Sequence, residues 1–207
     1  MVWSDGTLNT FHGCVDKFTA ANVNPASYDL TLGGTLRRVH PVWVNLVLSD
    51  IFRMKDGDFL PRYIEQYLTD DDWHQYNDGG CKIDALPRWG AVEEFTETWI
   101  MPGEFVLCHS AETITVPNDC VALLFSKSST GRNGLEHSHA GVADPGFSGQ
   151  WTWELSNIAP WPVKLVAGQR LMQHVILALD EAAQIPYASK GRYQGQQGPT
   201  PARAEVR

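Results

Sequence analysis

Three short stretches of this chain carry residue types that bind anions or move protons. The first is Lys127-Ser128-Ser129-Thr130-Gly131-Arg132. It follows the apolar run Val121 to Phe125, so two serines stand at a strand-to-helix junction. There a hydroxyl can cap the first turn, and free N–H groups favour an anion. If the turn is helical, Ser128 and Arg132 share a face, and Lys127 adds a second positive charge. Read alone, the stretch also describes an ordinary capped turn. The second stretch, Gly141 to Gly149, is a tight turn carrying one carboxylate, Asp144, and one aromatic ring, Phe147. The third is Gln150-Trp151-Thr152-Trp153-Glu154-Leu155-Ser156. With period two, Trp151, Trp153 and Leu155 share one face, and Gln150, Thr152, Glu154 and Ser156 the other. Glu154 is then either a solvated strand residue or an acid placed for proton transfer.

The elements that must position these residues are mostly strands. Residues 23–36 read as extended, with alternation in Tyr28-Asp29-Leu30-Thr31-Leu32 and a turn at Gly33-Gly34. From Trp99 onward, short apolar runs alternate with turn signals. These are Met101-Pro102-Gly103-Glu104, Val116-Pro117-Asn118-Asp119, Asp144-Pro145-Gly146 and Ala167-Gly168. Strands at this spacing predict an all-β sandwich or barrel. Between them, 37–98 is the least readable region. Leu60, Tyr63, Ile64, Tyr67 and Leu68 predict one amphipathic helix opened by Pro61, and Asp70-Asp71-Asp72 and Asp78-Gly79-Gly80 mark loops. The Gly- and Pro-rich segment from Ser189 to Pro201 predicts a flexible tail that a ligand would order.

Composition narrows the class. The chain has 207 residues, 43% hydrophobic and 11% aromatic, which is enough for a core and argues against disorder. Its net charge of −8 disfavours a general nucleic-acid binder. Residues 1–120 hold 8 Lys/Arg and 18 Asp/Glu (net −10), whereas 121–207 hold 8 and 6 (net +2), so an anionic ligand is drawn to the C-terminal part. The N-terminus has no basic start followed by an apolar run, and the longest apolar stretches are far below a membrane span. Cys14, Cys81, Cys108 and Cys120 are scattered, with no C-x-x-C pair, so free thiols and a cytoplasmic setting are expected.

Taken together, the motifs resemble the dCTP deaminase branch of the dUTPase-like superfamily. The family pattern R-S-S-x-G-R-x-G-L is met by Lys127 to Leu135, its A-G-x-I-D-P-G-F-x-G by Ala140 to Gly149, and its L-E-L-x-N strand by Glu154-Leu155-Ser156-Asn157. Weaker echoes occur at Asn24 to Leu30, at Pro102 to Phe105, at Ala167 to Gln173 and in the tail from Arg192 to Thr200. The resemblance covers 23–36 and 99–203.

That resemblance implies a mainly β, distorted barrel or jelly-roll domain over 1–207, with an inserted segment at 37–98 and a nucleotide-covering tail at 189–207. It implies a homotrimer with active sites between subunits, and hydrolytic deamination of dCTP to dUTP and ammonia without zinc. The sequence agrees about zinc deaminases, because the His-x-Glu and Pro-Cys-x-x-Cys set they need does not occur. A carboxylate must then carry the protons, and by position it is Glu154. Ser128 and the Ala140 carbonyl would hold the water, and Arg132 would orient Glu154. Asp144 would bind the sugar 3′-hydroxyl and, in a diphosphatase step, help activate water. Phe147 would pack on the deoxyribose. Lys127, Ser129, Gln173, Tyr187, Arg192 and Gln196 would contact triphosphate or base, with Mg²⁺ held through the phosphates rather than by protein ligands.

The chain departs from the pattern in four places. Lys127 stands where Arg is usual and Arg192 where Lys is usual, which keeps charge but changes donor geometry. Glu136-His137-Ser138-His139 is one residue short, with His139 in a Thr position. The His pair suggests a metal site only weakly, because it lacks Cys partners. Val142 replaces the Arg of strict deaminases, and Ala140-Gly141-Val142 looks like members that also split dUTP to dUMP and pyrophosphate. Region 37–98 matches nothing. A diphosphatase without deamination and a non-catalytic nucleotide-binding regulator are the competing readings.

Overall fold

Alternating burial along the strands builds this molecule. In the computed structural model, which describes residues 1–10, 12–40, 88–138 and 140–203, strand Cys120–Ser126 (β7) buries Cys120, Ala122 and Leu124 and turns the residues between them outward. Strand Ser148–Asn157 (β10) behaves likewise, burying Trp151, Trp153 and Leu155 and leaving Glu154 half-buried on the other side. The expected two faces of that strand are therefore present.

The other strands are β1 (Val23–Asn24), β2 (Ser27–Thr31), β3 (Thr35–Arg38), β4 (Glu93–Glu94), β5 (Glu97–Ile100) and β6 (Phe105–Thr115). They continue with β8 (Leu135–His137), β9 (Val142–Ala143), β11 (Val163–Val166) and β12 (Arg170–Ala178). Two short helices, α1 (Asp5–Thr10) and α2 (Ser128–Arg132), complete the α elements described. One sheet has the order β1-β2-β12-β7-β9, a second β4-β3-β6-β10-β8, and β11 and β5 form a two-stranded ribbon. The fold is mainly β.

The core joins side chains of both five-stranded sheets, among them Tyr28, Leu30, Ile114, Leu124, Trp153, Met172 and Ile176. Each large apolar side chain so buried contributes about 1.5–3 kcal/mol. Where β6 runs past β10 the register slips, Gln150 facing Thr113 and Thr152 facing His109. The hydroxyl of Ser110 fills the gap, accepting from the Trp151 N–H at 2.8 Å and donating to the Glu112 carbonyl at 2.7 Å. Asn157 closes β10. Its amide donates to the carbonyls of Ile100 and Trp161, and its Oδ1 accepts from the Ala159 N–H. That tie accounts for Asn157 structurally.

Chain contacts divide the protein into two units, Met1–Arg37 with Val92–Arg207, and Arg38–Ala91. The described residues of the second unit include a bridge between Val39 and Trp89, flanked by bonds from His40 N–H to Arg88 O and from Gly90 N–H to Arg38 O. The amphipathic helix expected around Leu60 to Leu68, the acidic loops at 70–72 and 78–80, and His139 lie outside the described residues. No helix among the described residues is long and apolar enough to cross a membrane. Cys14, Cys108 and Cys120 are buried free thiols, and burial pushes the Cys120 thiol up to about 12.

Candidate active site

The serine-rich turn is a helix anchored from below. The Leu171 carbonyl on β12 receives the Lys127 N–H at 3.0 Å and the buried Thr130 hydroxyl at 2.6 Å. The N-cap is Lys127, and no side chain caps the turn. Ser128 and Ser129 therefore lie inside the first turn and exposed to solvent, rather than acting as its cap as expected. Lys127 is not free. Its ammonium pairs with Asp29, a 2% exposed carboxylate in β2 that also accepts from Asn24 Nδ2 at 2.9 Å and lies 3.7 Å from Arg170. Gln173, half-buried on β12, is register partner to Asp29 on one side and Phe125 on the other.

The Asp144 turn follows from its sequence. Pro145 and Gly146 occupy the two central positions, Gly146 has φ +83°, and the Phe147 N–H closes the turn onto the Asp144 carbonyl at 3.0 Å. Asp144 is exposed, but Phe147 is not. It is 6% exposed and packs on Trp151 and edge-on against Tyr187, their centroids 6.5 and 5.7 Å away. In this chain Phe147 faces the core. Upstream, Gly141 presses on β7, where its carbonyl accepts the Leu124 N–H at 2.8 Å. A Cβ at Gly141 would stand 2.6 Å from the Leu124 carbonyl oxygen. This contact fixes the backbone beside Ala140, whose own side chain is exposed.

Glu154 projects from β10 with its side chain 26% exposed, and its Oε2 lies 3.2 Å from the imidazole Nε2 of His137 on β8. α2 packs against β8, and β8 pairs with β10, so one short strand links the serine turn to the strand that carries Glu154. Arg132 is exposed and makes no ion pair or side-chain hydrogen bond among the described residues. The expected orienting contact from Arg132 to Glu154 is thus not made in this chain.

The tail is docked on the site's own strand. Gln196 is buried, and its side-chain amide donates to the Gln150 carbonyl at 2.7 Å. The Gly195 and Gly198 N–H groups donate to Ser148 O and Gln150 Oε1, each at 2.7 Å. Tyr187 donates its N–H to the Pro145 carbonyl, and its hydroxyl accepts from the Tyr193 N–H. Arg192 is exposed. Among the described residues no three His, Cys, Asp or Glu side chains gather into a metal site.

A family model described as dCTP deaminase-like matches residues 81–179. A protein of Rhodococcus erythropolis named dCTP deaminase, dUMP-forming, is 50% identical over 194 residues, covering 92% of this chain and 87% of that protein. The chain belongs to the dCTP deaminase family. A dUMP-forming dCTP deaminase of Thermobifida fusca is 51% identical over 107 residues, a match spanning 50% of this chain and 55% of the relative. The crystal structure of 2′-deoxycytidine 5′-triphosphate deaminase from Agrobacterium tumefaciens has the same fold, with a TM-score of 0.55 at 19% identity. It covers 84% of this chain and 47% of that one.

Within this member of the dCTP deaminase family, sequence reasoning passed over three residues that the site uses. Asp29 had a signal, being a charge inside the otherwise buried strand Ser27–Thr31. Gln150 had none beyond sharing a face with Glu154. His137 was read only as a polar strand residue or half of a His pair, because nothing in its spacing reveals the carboxylate across the sheet.

Proposed function

We propose that this chain hydrolyses dCTP at C4 of cytosine, releasing ammonia, and carries the resulting dUTP on to dUMP and pyrophosphate. The observation that carries the reading is Glu154. It is a half-buried strand carboxylate whose Oε2 lies against His137 without a hydrogen bond among the described residues, which leaves its other oxygen for the proton, on the strand that β8 links to the serine turn. Such a group has a free lone pair and a restricted position, as a proton carrier needs.

Water adds to C4 as Glu154 takes its proton. Glu154 passes that proton to N3, and the remaining hydroxyl proton then goes by way of Glu154 to the amine as the C4–N bond breaks, so that dCTP and water become dUTP and ammonia. Ser128 and the Ala140 carbonyl would fix the water, and fixed dipoles lower the barrier because charge develops on the ring. Arg132, with no ion pair or side-chain hydrogen bond among the described residues, is available to the bound nucleotide or to Glu154. In the second step water attacks the α-phosphorus of dUTP with help from the exposed Asp144, giving dUMP and pyrophosphate. The exposed Val142 beside Ala140 and Gly141, where strict deaminases have Arg, supports this step, as do the dUMP-forming names of the relatives.

Asp144 would meet the 3′-hydroxyl, and Ser129, Gln173, Tyr187, Arg192 and Gln196 would contact triphosphate or base. Lys127 would reach the phosphates by giving up part of its hold on Asp29. Mg²⁺ would bind through phosphate oxygens, which are its preferred hard ligands. We place the reaction in a homotrimer of single dUTPase-like domains, with 37–98 as an elaboration and the tail at 189–207 as a cover.

Incubation of the full chain with dCTP and Mg²⁺, with products resolved by chromatography and ammonia measured separately, tests the reading. dUMP and ammonia are expected. Glu154→Gln should abolish ammonia release while leaving pyrophosphate release from dUTP measurable. Release of dCMP without ammonia, or ammonia from Glu154→Gln at the wild-type rate, would reject it.

A further inference from the structure

Three histidines are buried among the described residues, and their surroundings differ in kind. His109 is saturated, its Nε2 2.8 Å from Thr35 Oγ1 and its Nδ1 2.8 Å from the Ser110 carbonyl. It lies so close to Gly33 that a Cβ there would overlap the ring. His174 has neither nitrogen bonded and is packed between the rings of Tyr28 and Trp151. These two are explained by packing. His137 is not, because it alone of the three stands against a carboxylate.

His137 and Glu154 occupy neighbouring strands. Leu155 faces His137 across the ladder, and the Ser138 N–H donates to the Glu154 carbonyl at 3.1 Å. The backbone on both sides is thereby pinned. His137 Nε2 lies 3.2 Å from Glu154 Oε2, with the histidine side chain 3% exposed. The distance is that of an ion pair, yet neither atom makes a hydrogen bond, so the direction of approach is wrong for one. Two buried polar atoms left unsatisfied at contact distance cost free energy in the resting chain. Such an arrangement is understandable where the carboxylate must be held in place but kept open to a third atom.

We infer that His137 is a positioning residue for Glu154. Its imidazole confines one carboxylate oxygen by contact, leaving the other to take and return the proton of the attacking water. This rests on the deamination reading. It assigns to the shortened stretch Glu136–His139 a part in the chemistry that no contact of His137 with substrate is needed to explain.

The test uses the full chain with dCTP and Mg²⁺. His137→Leu should lower kcat for ammonia release by about 10- to 100-fold, as expected when a reacting group loses its fixed geometry. KM should stay within about threefold, because the interaction acts on the chemical step. His137→Gln, whose amide can put a nitrogen near the Nε2 position, should recover part of the loss. Independently, Glu154→Gln should move the ¹⁵N resonances of the His137 ring and leave those of His109 and His174 in place. A wild-type kcat in His137→Leu, or an unmoved His137 ring in Glu154→Gln, overturns the assignment. If His137→Leu does not fold, the ring resonances decide. A wild-type chain that releases no ammonia fails the deamination reading and takes the positioning role with it. Ammonia release unimpaired in His137→Leu fails the positioning role alone.

Discussion

Gln196 and Gln150 are hydrogen-bonded twice, the Gln196 side-chain amide to the Gln150 carbonyl at 2.7 Å and the Gln150 N–H to the Gln196 carbonyl at 3.0 Å. The Gln150 side chain adds a third link by accepting from the Gly198 N–H. The tail is therefore fastened to the strand that carries Glu154, four residues before it. Gln150→Ala keeps both of the Gln196 links and removes the side-chain link to Gly198, together with the Gln150 Nε2 bond to the Ala111 carbonyl at 3.4 Å. The Gly198 amide should then exchange about tenfold faster, the equivalent of one hydrogen bond. Hydrogen–deuterium exchange by NMR would measure it, and unchanged protection at Gly198 would contradict the proposed fastening.

Gly141 is required by space rather than by φ. Gly141→Ala sets a methyl 2.6 Å from a backbone oxygen of a buried strand. The strain should cost about 1–3 kcal/mol. Gly131→Ala is the control, since nothing lies within 4 Å of its Cβ position and alanine favours a helix. Thermal unfolding should show Gly141→Ala several degrees below wild type and Gly131→Ala at or above it.

Lys127 neutralises a buried acid. Lys127→Met leaves Asp29 with Asn24 and the more distant Arg170, and should destabilise the fold by about 2–4 kcal/mol. Adding Asp29→Asn should recover part of that loss, because the uncompensated charge goes with it. Urea unfolding of the two single variants and the double variant gives the coupling directly. Simple additivity would show that the pair is not linked.

His174 makes stability depend on pH. Burial alone lowers its pKa from 6.5 to about 4. As pH falls through about 6.5 the unfolded chain takes up a proton that the folded chain refuses, so stability declines until the folded value near 4 is passed. The loss amounts to about 3 kcal/mol. Urea midpoints at pH 7.5 and 4.5 should separate more for wild type than for His174→Phe, which has nothing to protonate there. An equal separation would mean that other groups carry the acid sensitivity.

Much of this fold could be read from the chain because its signals are local. The alternation in Gln150 to Ser156 fixed which side of β10 Glu154 occupies, and Pro145-Gly146 specified a turn that only glycine at that position closes without strain. The turns at Met101 to Glu104 and Val166 to Gln169 close with the bonds those sequences call for. The serine stretch admits a helix without requiring one, and the cap expected of its serines is not made. Serine's general preference for the N-cap lost to the bonds that Lys127 N–H and the Thr130 hydroxyl make to Leu171, forty residues away and invisible locally. Phe147 is expected, through the family resemblance, to pack on the deoxyribose. In this chain its ring is drawn inward by Trp151 and by Tyr187, which lies just before the tail.

The sequence by itself determined the family, through ordered motifs whose residue types and spacing are chemical requirements, and with it a mainly β fold. Tertiary structure decided who meets whom at the site. Charge and hydrogen-bond partners are chosen by distance through space, and a sequence states distance only along the chain. That is why Lys127 is committed to Asp29, and why the group beside Glu154 is His137 from the neighbouring strand.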